Sequence, residues 1–208
     1  MLKNNRKNLF KNGFTTAELL VGIAIFVFIG MAVNKFQSSI FSSSSYLQAS
    51  LRTEDDARRI LRTIISEIRS MNYSAVGGYP ITSATGNSFI FYSDTNNDNN
   101  TERLRYFIEG TNLKRGIVYP TGSPFSYDLN NEKISIITSN IVATSSIFSY
   151  FSDSYVGTGM PLPEPVNLPD VRLIKVSIPA TIKTADGKIS TSYEISSQVS
   201  IRNLKDNM

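Results

Sequence analysis

The feature that most constrains this chain is an apolar stretch, residues 19–33, which directly follows Glu18. Counted from Phe14, the stretch supplies about twenty residues, and a helix of that length spans about 30 Å, close to the hydrocarbon thickness of a bilayer. The preceding residues 1–13 contain four basic side chains and no acidic one. Because basic flanks remain on the cytoplasmic side, the pattern predicts a single-pass segment with its N-terminus in the cytoplasm.

Glu18 is the residue that a plain membrane anchor does not explain. A carboxylate within a membrane span is costly, so an acid at this place indicates a function and a partner of opposite charge. An α-amino group one helical turn before Glu18 would be such a partner. Cutting the chain after Gly13 would create this group on Phe14.

This order of a short basic leader, Gly13, Phe14 and then Glu18 resembles the class III leader of type IV pilins and type II secretion pseudopilins. The resemblance implies that a prepilin peptidase cuts between Gly13 and Phe14 and N-methylates Phe14. It also implies that Glu18 meets the Phe14 amine of a neighbouring subunit during filament assembly. The implied partners are the peptidase, the inner membrane and other pilin or pseudopilin subunits. The implied location is the inner membrane and then a filament in the periplasm or on the cell surface.

An ordinary secretory signal is the main alternative. Its apolar region would be residues 19–29, and Gly30-Met31-Ala32 fits the small-x-small cleavage site. The chain would then be a membrane-anchored or secreted β-domain binding protein or adhesin. A plain signal anchor is the other alternative. Neither interpretation gives Glu18 or the Gly13–Phe14 pair a role.

Composition narrows the function classes. The 208 residues have a formal net charge of +4 and include neither Cys nor His. The leader accounts for the whole excess, because the seventeen basic residues after it match the seventeen acidic residues of the chain. No Lys/Arg cluster with interleaved aromatic residues follows, so we expect no nucleic-acid surface. Without His or Cys the usual nucleophile–base pairs and Cys/His zinc sites are excluded, and we expect a structural protein that is not an enzyme and requires no cofactor.

Apolar periodicity predicts one long helix over residues 14–71, loosened at the serines of residues 42–45. Apolar residues recur three, four and seven positions apart, which defines one helix face. The clearest part of this face consists of Ile60, Leu61, Ile64, Ile65, Ile68 and Met71. The positions between them are largely charged, Glu67 among them. We therefore expect the second half of the helix to lay its apolar face on the domain that follows.

Residues 72–208 are predicted to form an antiparallel β-rich domain outside the membrane. A connector over 72–87 precedes segments that are rich in aromatic and β-branched residues. The predicted strands and short apolar pieces are 89–92, 103–108, 113–119, 133–138, 141–143, 147–151, 171–178 and 189–202. An Asp186-Gly187 hairpin turn precedes the last strand. The expected fold class is α+β, with a leader at 1–13, a long helix at 14–71 and a β domain at 72–208.

The order of these elements resembles the minor J/W-type members of the pilin superfamily. The matching pieces are the strand–acidic turn–strand over 89–108, the Gly-x-x-Leu-Lys-Arg turn at 110–115 and the Ser-Ile-Arg-Asn sequence at 200–203. Many type IV pilins have a proline partway along the N-terminal helix and a disulfide near the C-terminus, and this chain has neither. Both departures favour a minor pilin or pseudopilin over a typical major pilin.

A loop rich in Asp and Asn is the one candidate metal site in the sequence. It places oxygen-bearing side chains at positions 1, 3, 5 and 9, namely Asp94, Asn96, Asp98 and Glu102. This spacing lets a tight loop direct alternate side chains at one hard cation such as Ca²⁺. Asn99 stands where an EF-hand loop has Gly, and Asn tolerates the left-handed conformation required there. Arg105 stands where the EF-hand has its last carboxylate, so the match is partial. A calcium site and a polar hairpin turn are both open interpretations.

Overall fold

The structure is a computed structural model that describes residues 13–139, 141, 146–183 and 189–201. The basic leader up to residue 12, the predicted Asp186-Gly187 turn and the C-terminal residues 202–208 lie outside the described residues. Internal contacts divide the chain into two compact units, Met1–Gln48 and Ala49–Met208, and each is described by itself.

A single long helix, α1 (Thr16–Arg69), begins the described fold and spans 54 residues. It starts and ends two residues inside the predicted bounds. The helix continues through residues 42–45, where we expected it to loosen. The physical reason is that serine costs only a few tenths of a kcal/mol relative to alanine in a helix, which does not interrupt a long cooperative segment.

In the second unit, one face of α1 is buried against the β domain. The apolar side chains of this face are nearly inaccessible to solvent, and they are Ala57, Leu61, Ile64, Ile65 and Ile68. Their spacing is that of a single helix face, which confirms the packing predicted from the sequence. The strong amphipathic pattern therefore decided where this part of the helix packs.

Ten strands follow α1 within the described residues. They are β1 (Ile81–Ala84), β2 (Ser88–Ser93), β3 (Glu102–Glu109), β4 (Asn112–Val118), β5 (Pro120–Thr121), β6 (Ser126–Tyr127), β7 (Lys133–Thr138), β8 (Phe148–Phe151), β9 (Leu173–Lys183) and β10 (Ile189–Ser200). One antiparallel sheet has the order β1-β2-β3-β4-β7, and a second has the order β10-β9-β8. Strands β5 and β6 pair as a short ribbon. A long helix packed on antiparallel sheet confirms the α+β fold class.

Two strands differ from the sequence prediction. β1 lies in the segment predicted as a connector, because Ile81 is its only large apolar side chain and so gives too short a pattern to recognise. β9 extends past the predicted end at residue 178, through Pro179 to Lys183. The pairing with β8 covers only residues 173–176 of β9, and Pro179 lies beyond it. A proline is tolerated there because β8 requires no hydrogen-bond donor from it.

The two larger sheets share one hydrophobic core with α1, and Phe89 is a fully buried member of it. Phe89 on β2 is fully buried, and its ring centroid lies 4.7 Å from that of Phe91 on the same strand. Across the core, the rings of Phe148 and Tyr150 on β8 lie 5.7 and 5.6 Å from it. The Tyr150 hydroxyl donates to the Thr85 carbonyl at 3.0 Å. Phe89 thus joins side chains of both sheets.

Glu67 connects α1 to the larger sheet. The sequence pattern placed it among the charged residues of the solvent-facing side of the helix, and the structure does not. Its Oε1 accepts a hydrogen bond from Arg115 Nη2 on β4 at 2.8 Å, and its Oε2 accepts one from the Tyr106 hydroxyl on β3 at 2.6 Å. The Glu67 and Arg115 side chains are only 14% and 20% exposed. Long-range pairing satisfies this partly buried carboxylate, which the helical pattern alone does not reveal.

We expect the free energy of unfolding to fall steeply above about pH 10, because two buried tyrosines must stay neutral. Burial, followed by the negative charge of Glu67, raises the pKa of Tyr106, and burial raises the pKa of Tyr150 well above its usual range. Since the folded state holds these protons more tightly, the stabilisation is complete below the pKa of an unfolded tyrosine and is lost as pH rises above it. Each residue contributes a slope of up to about 1.4 kcal/mol per pH unit.

Urea denaturation of the second unit at pH 8, 10 and 11, followed by circular dichroism, measures this slope. Tyr106→Phe should flatten it, although the loss of the bond to Glu67 lowers stability at every pH. Tyr119→Phe is the matched control, since its side chain is exposed. Equal alkaline slopes for both variants would contradict the prediction.

Candidate functional site

The start of α1 is built by a reciprocal cap between Thr15 and Glu18. The Glu18 carboxylate accepts hydrogen bonds from the Thr15 backbone N–H at 2.8 Å and from the Thr15 hydroxyl at 3.0 Å. The Glu18 N–H donates back to the Thr15 hydroxyl oxygen at 3.3 Å. This is a capping box, in which Thr and Glu three positions apart satisfy the free N–H groups of a helix end. The sequence signal for this cap is Thr-x-x-Glu before an apolar run, which the charge of Glu18 alone does not reveal.

The predicted cleavage point lies immediately before this cap. Gly13 and Phe14 precede the first helical residue, Thr16, and 88% of the Phe14 side chain is exposed. A methyl group added at the Gly13 Cα would meet no atom within 4 Å. The Gly13–Phe14 peptide is therefore outside the hydrogen-bonded helix, and no packing contact with the described residues requires glycine there.

The first unit exposes the apolar side chains that follow Glu18. Phe26 and Phe28 are 78% and 73% exposed, and their neighbours along the helix are exposed as well. By length and composition α1 could cross a membrane near its N-terminal end. Glu18 is the only acidic residue between positions 13 and 48, and it occupies the first turn of α1, where the helix dipole favours a negative charge.

The acidic loop joins β2 to β3 and brings three of its predicted ligand residues together. Carboxylate oxygens of Asp94, Asp98 and Glu102 lie within 4.8 Å of one another. Asn96, the fourth predicted ligand, is bonded within the loop, since its Nδ2 donates to Asp98 Oδ2 at 2.8 Å. Asn99 has a φ of 67°, which confirms the left-handed conformation expected at this position.

Backbone N–H groups of the loop point at the carboxylates and hold them in place. Asp94 accepts from the N–H groups of Asp98 at 3.2 Å and Asn99 at 3.0 Å. Asp98 Oδ1 accepts from the Asn100 N–H at 2.7 Å. The Asn100 N–H, and secondarily the Asn96 side chain, lower the pKa of Asp98. The loop thus favours the ionised form of Asp98 and holds the carboxylates in a fixed arrangement.

Glu102 differs from the other two acids because it is fully buried. It is the first residue of β3, and its Oε2 accepts from the Thr95 N–H at 2.8 Å and the Thr95 hydroxyl at 2.7 Å. Its Oε1 is buried and has no hydrogen-bond partner among the described residues. The sequence pattern identified Glu102 as an oxygen donor but did not show that it would be enclosed.

The base of the loop is anchored to neighbouring segments. The Thr101 hydroxyl donates to the Tyr73 carbonyl at 2.9 Å, and the Tyr127 hydroxyl donates to the Thr101 carbonyl at 2.6 Å. The Ala75 N–H donates to the Tyr127 oxygen at 2.9 Å. These bonds connect the loop to the segment after α1 and to β6, so the position of Glu102 is fixed by the fold of the second unit.

In comparisons with known proteins, no family model and no curated protein matches this chain. The functional argument therefore rests on the fold and on the residues of the two candidate sites. They define an α+β protein whose long N-terminal helix has the length and composition of a membrane span.

Proposed function

We propose that this chain is a minor pilin or pseudopilin, a structural subunit of a type IV pilus or a type II secretion-like filament. The observation that carries the proposal is the order along the chain at the start of α1. A Gly13–Phe14 bond outside the helix is followed, one turn later, by Glu18, the only acid of the apolar part of α1 up to residue 48. A secretory signal does not require this order, whereas a subunit processed at Gly13 uses each part of it.

The capping box supports this function in the precursor. A carboxylate at the membrane boundary needs hydrogen-bond donors, and Thr15 supplies two of them to Glu18. Hydrolysis of the Gly13–Phe14 bond adds water across it and leaves a carboxylate on Gly13 and an amine on Phe14. The amine, once methylated, still carries a positive charge. Glu18 then has a partner for its own negative charge on a neighbouring subunit, and this pairing aligns the helices in the filament core.

The β domain has a separate role in this proposal. Its core includes the second half of α1. In this proposal the same helix therefore serves the filament core with its first half and the outer domain with its second half. Such a subunit acts by assembly and not by turnover. The second candidate function is a membrane-anchored or secreted binding protein, which is favoured by the same apolar helix if Gly30-Met31-Ala32 is the processing site.

Mass spectrometry of the mature N-terminus tests the proposal. In a host with a prepilin peptidase, we expect the first residue to be Phe14 with one added methyl group. A protein that begins at Met1 or Val33 would contradict the proposal and favour the binding protein.

Two glycine variants separate the two processing routes. Gly13→Val should abolish processing, and Gly30→Val should leave it unchanged. A Cβ atom added at either glycine meets no atom of the described residues within 4 Å, so we expect a loss of processing to report recognition by the peptidase and not misfolding. For a secretory signal, Gly13→Val should leave processing unchanged.

A further inference from the structure

The loop between β2 and β3 concentrates negative charge that the described residues do not neutralise. Three carboxylates, those of Asp94, Asp98 and Glu102, meet within 4.8 Å. The ion pairs found in the described part of the chain involve other acids, and none includes these three. Like charges this close repel one another, so a bound cation would stabilise the arrangement.

Glu102 provides a second, independent indication of a ligand site. Its side chain is 0% exposed, and Oε1 lacks a hydrogen-bond donor in the described structure, while Oε2 is satisfied twice by Thr95. Buried charges in proteins are paired, hydrogen-bonded or bound to a metal. An unsatisfied oxygen on a fully buried carboxylate, in the same cluster as two more carboxylates, has the chemistry of a metal ligand.

We propose that Asp94, Asp98 and Glu102 bind one Ca²⁺ ion and thereby fix the β2–β3 loop of the second unit. The proposal does not depend on the filament function. Carboxylate oxygens on an irregular loop suit Ca²⁺, which accepts six to eight oxygen ligands in flexible geometry. Mg²⁺ requires a near-ideal octahedron and retains several waters, and three carboxylates held by loop hydrogen bonds do not favour it.

The hydrogen bonds within the loop leave room for the ion at each carboxylate. Each oxygen has two lone pairs, and the two oxygens of Asp94 each accept one bond, from Asp98 and Asn99. Asn96 is not among the proposed ligands, because both ends of its side-chain amide are hydrogen-bonded to Asp98. Because the backbone already holds the carboxylates, little ordering remains to be done when the ion binds.

Calorimetric titration of the full-length protein in neutral detergent micelles, after removal of metal with EGTA, tests the site. We expect one Ca²⁺ per chain with a Kd on the order of 10⁻⁴ M and much weaker binding of Mg²⁺. At a hundredfold excess over Kd, Ca²⁺ should raise the melting temperature by about 5–10 °C. The absence of saturable binding, or equal binding of Mg²⁺, would overturn the proposal.

Three variants assign the binding to these residues. Asp98→Asn, at an exposed loop position where folding is not at risk, should weaken Ca²⁺ binding roughly tenfold or more. Glu102→Gln keeps an oxygen for Thr95 but removes the charge, so it should lose the Ca²⁺-dependent rise in melting temperature without melting lower in EGTA. Glu109→Gln makes the same change at the opposite, exposed end of β3 and should bind like the parent.

The Glu102→Gln result also separates a metal ligand from a structural residue. If Glu102 serves only to bond Thr95, or is held neutral by a proton, Ca²⁺ binding would be the same in Glu102→Gln and in the parent. That outcome would overturn the proposal whatever the calorimetric titration of the loop variant Asp98→Asn shows. Unchanged binding in Asp98→Asn would overturn it as well.

Discussion

Under the proposed filament function, Glu18→Gln should reduce incorporation of this chain into filaments by roughly tenfold or more, while the Gly13–Phe14 bond is still cleaved and the β domain still folds. The reason is that removing one partner of a buried ion pair leaves the other charge uncompensated. The measurement is the ratio of tagged subunit in sheared filaments to subunit in membranes, with all other subunits present.

The choice of Gln follows from the capping box at the start of α1. Gln at the third helical position caps as Glu does, so Glu18→Gln preserves the bonds to Thr15 and removes only the charge. Glu18→Ala removes both the cap and the charge. If charge governs assembly, both variants fail alike.

The matched control is Thr15→Ala, which weakens the cap and keeps the Glu18 charge. It should assemble nearly as well as the parent, provided that mass spectrometry shows normal processing. Normal assembly of Glu18→Gln, together with failure of Glu18→Ala and Thr15→Ala, would mean that Glu18 acts as a helix cap. The filament-pairing role would then be wrong.

Phe89→Ala should lower the free energy of unfolding of the second unit by about 3–5 kcal/mol. Phe89 is fully buried and its ring contacts the rings of Phe91, Phe148 and Tyr150, so its removal leaves a cavity lined by both sheets. Rigid aromatic neighbours from two sheets cannot easily close that cavity. Urea denaturation of the Ala49–Met208 unit, followed by far-ultraviolet circular dichroism, measures the change.

Phe125→Ala is the matched control for this core variant. Its side chain is 43% exposed and lies between β5 and β6, so the cost should be within about 0.5 kcal/mol. A cost below about 1 kcal/mol for Phe89→Ala would show that the two sheets do not share packing at this point.

The acidic loop shows how far sequence reasoning reached at a candidate site. Alternate spacing identified Asp94, Asp98 and Glu102, and the structure brings their carboxylates together. The burial of Glu102 was not predictable, because the spacing of oxygen-bearing residues carries no information on enclosure. Thr101 beside it is held by Tyr127, 26 residues further on. The observation that favours a cation therefore required the tertiary structure.

The sequence by itself determined the local features of this protein. Periods of 3.6 and of two residues place helix and strand side chains on faces, so apolar spacing specified the buried face of α1 and most of the strands. Basic residues before an apolar run likewise predicted a membrane-length helix with one acid near its start. These signals lie within a few residues of one another, where chain geometry alone sets the contact.

Only the tertiary structure decided which distant side chains meet. Glu67 bonds to Tyr106 and Arg115, which are 39 and 48 residues away, and Phe89 packs on β8 of another sheet. Pairings of this kind depend on strand order and register. The same local pattern of apolar and polar residues is compatible with many different strand orders and registers. Burial then selects among them, because a charge or an aromatic ring enclosed without its partner costs several kcal/mol.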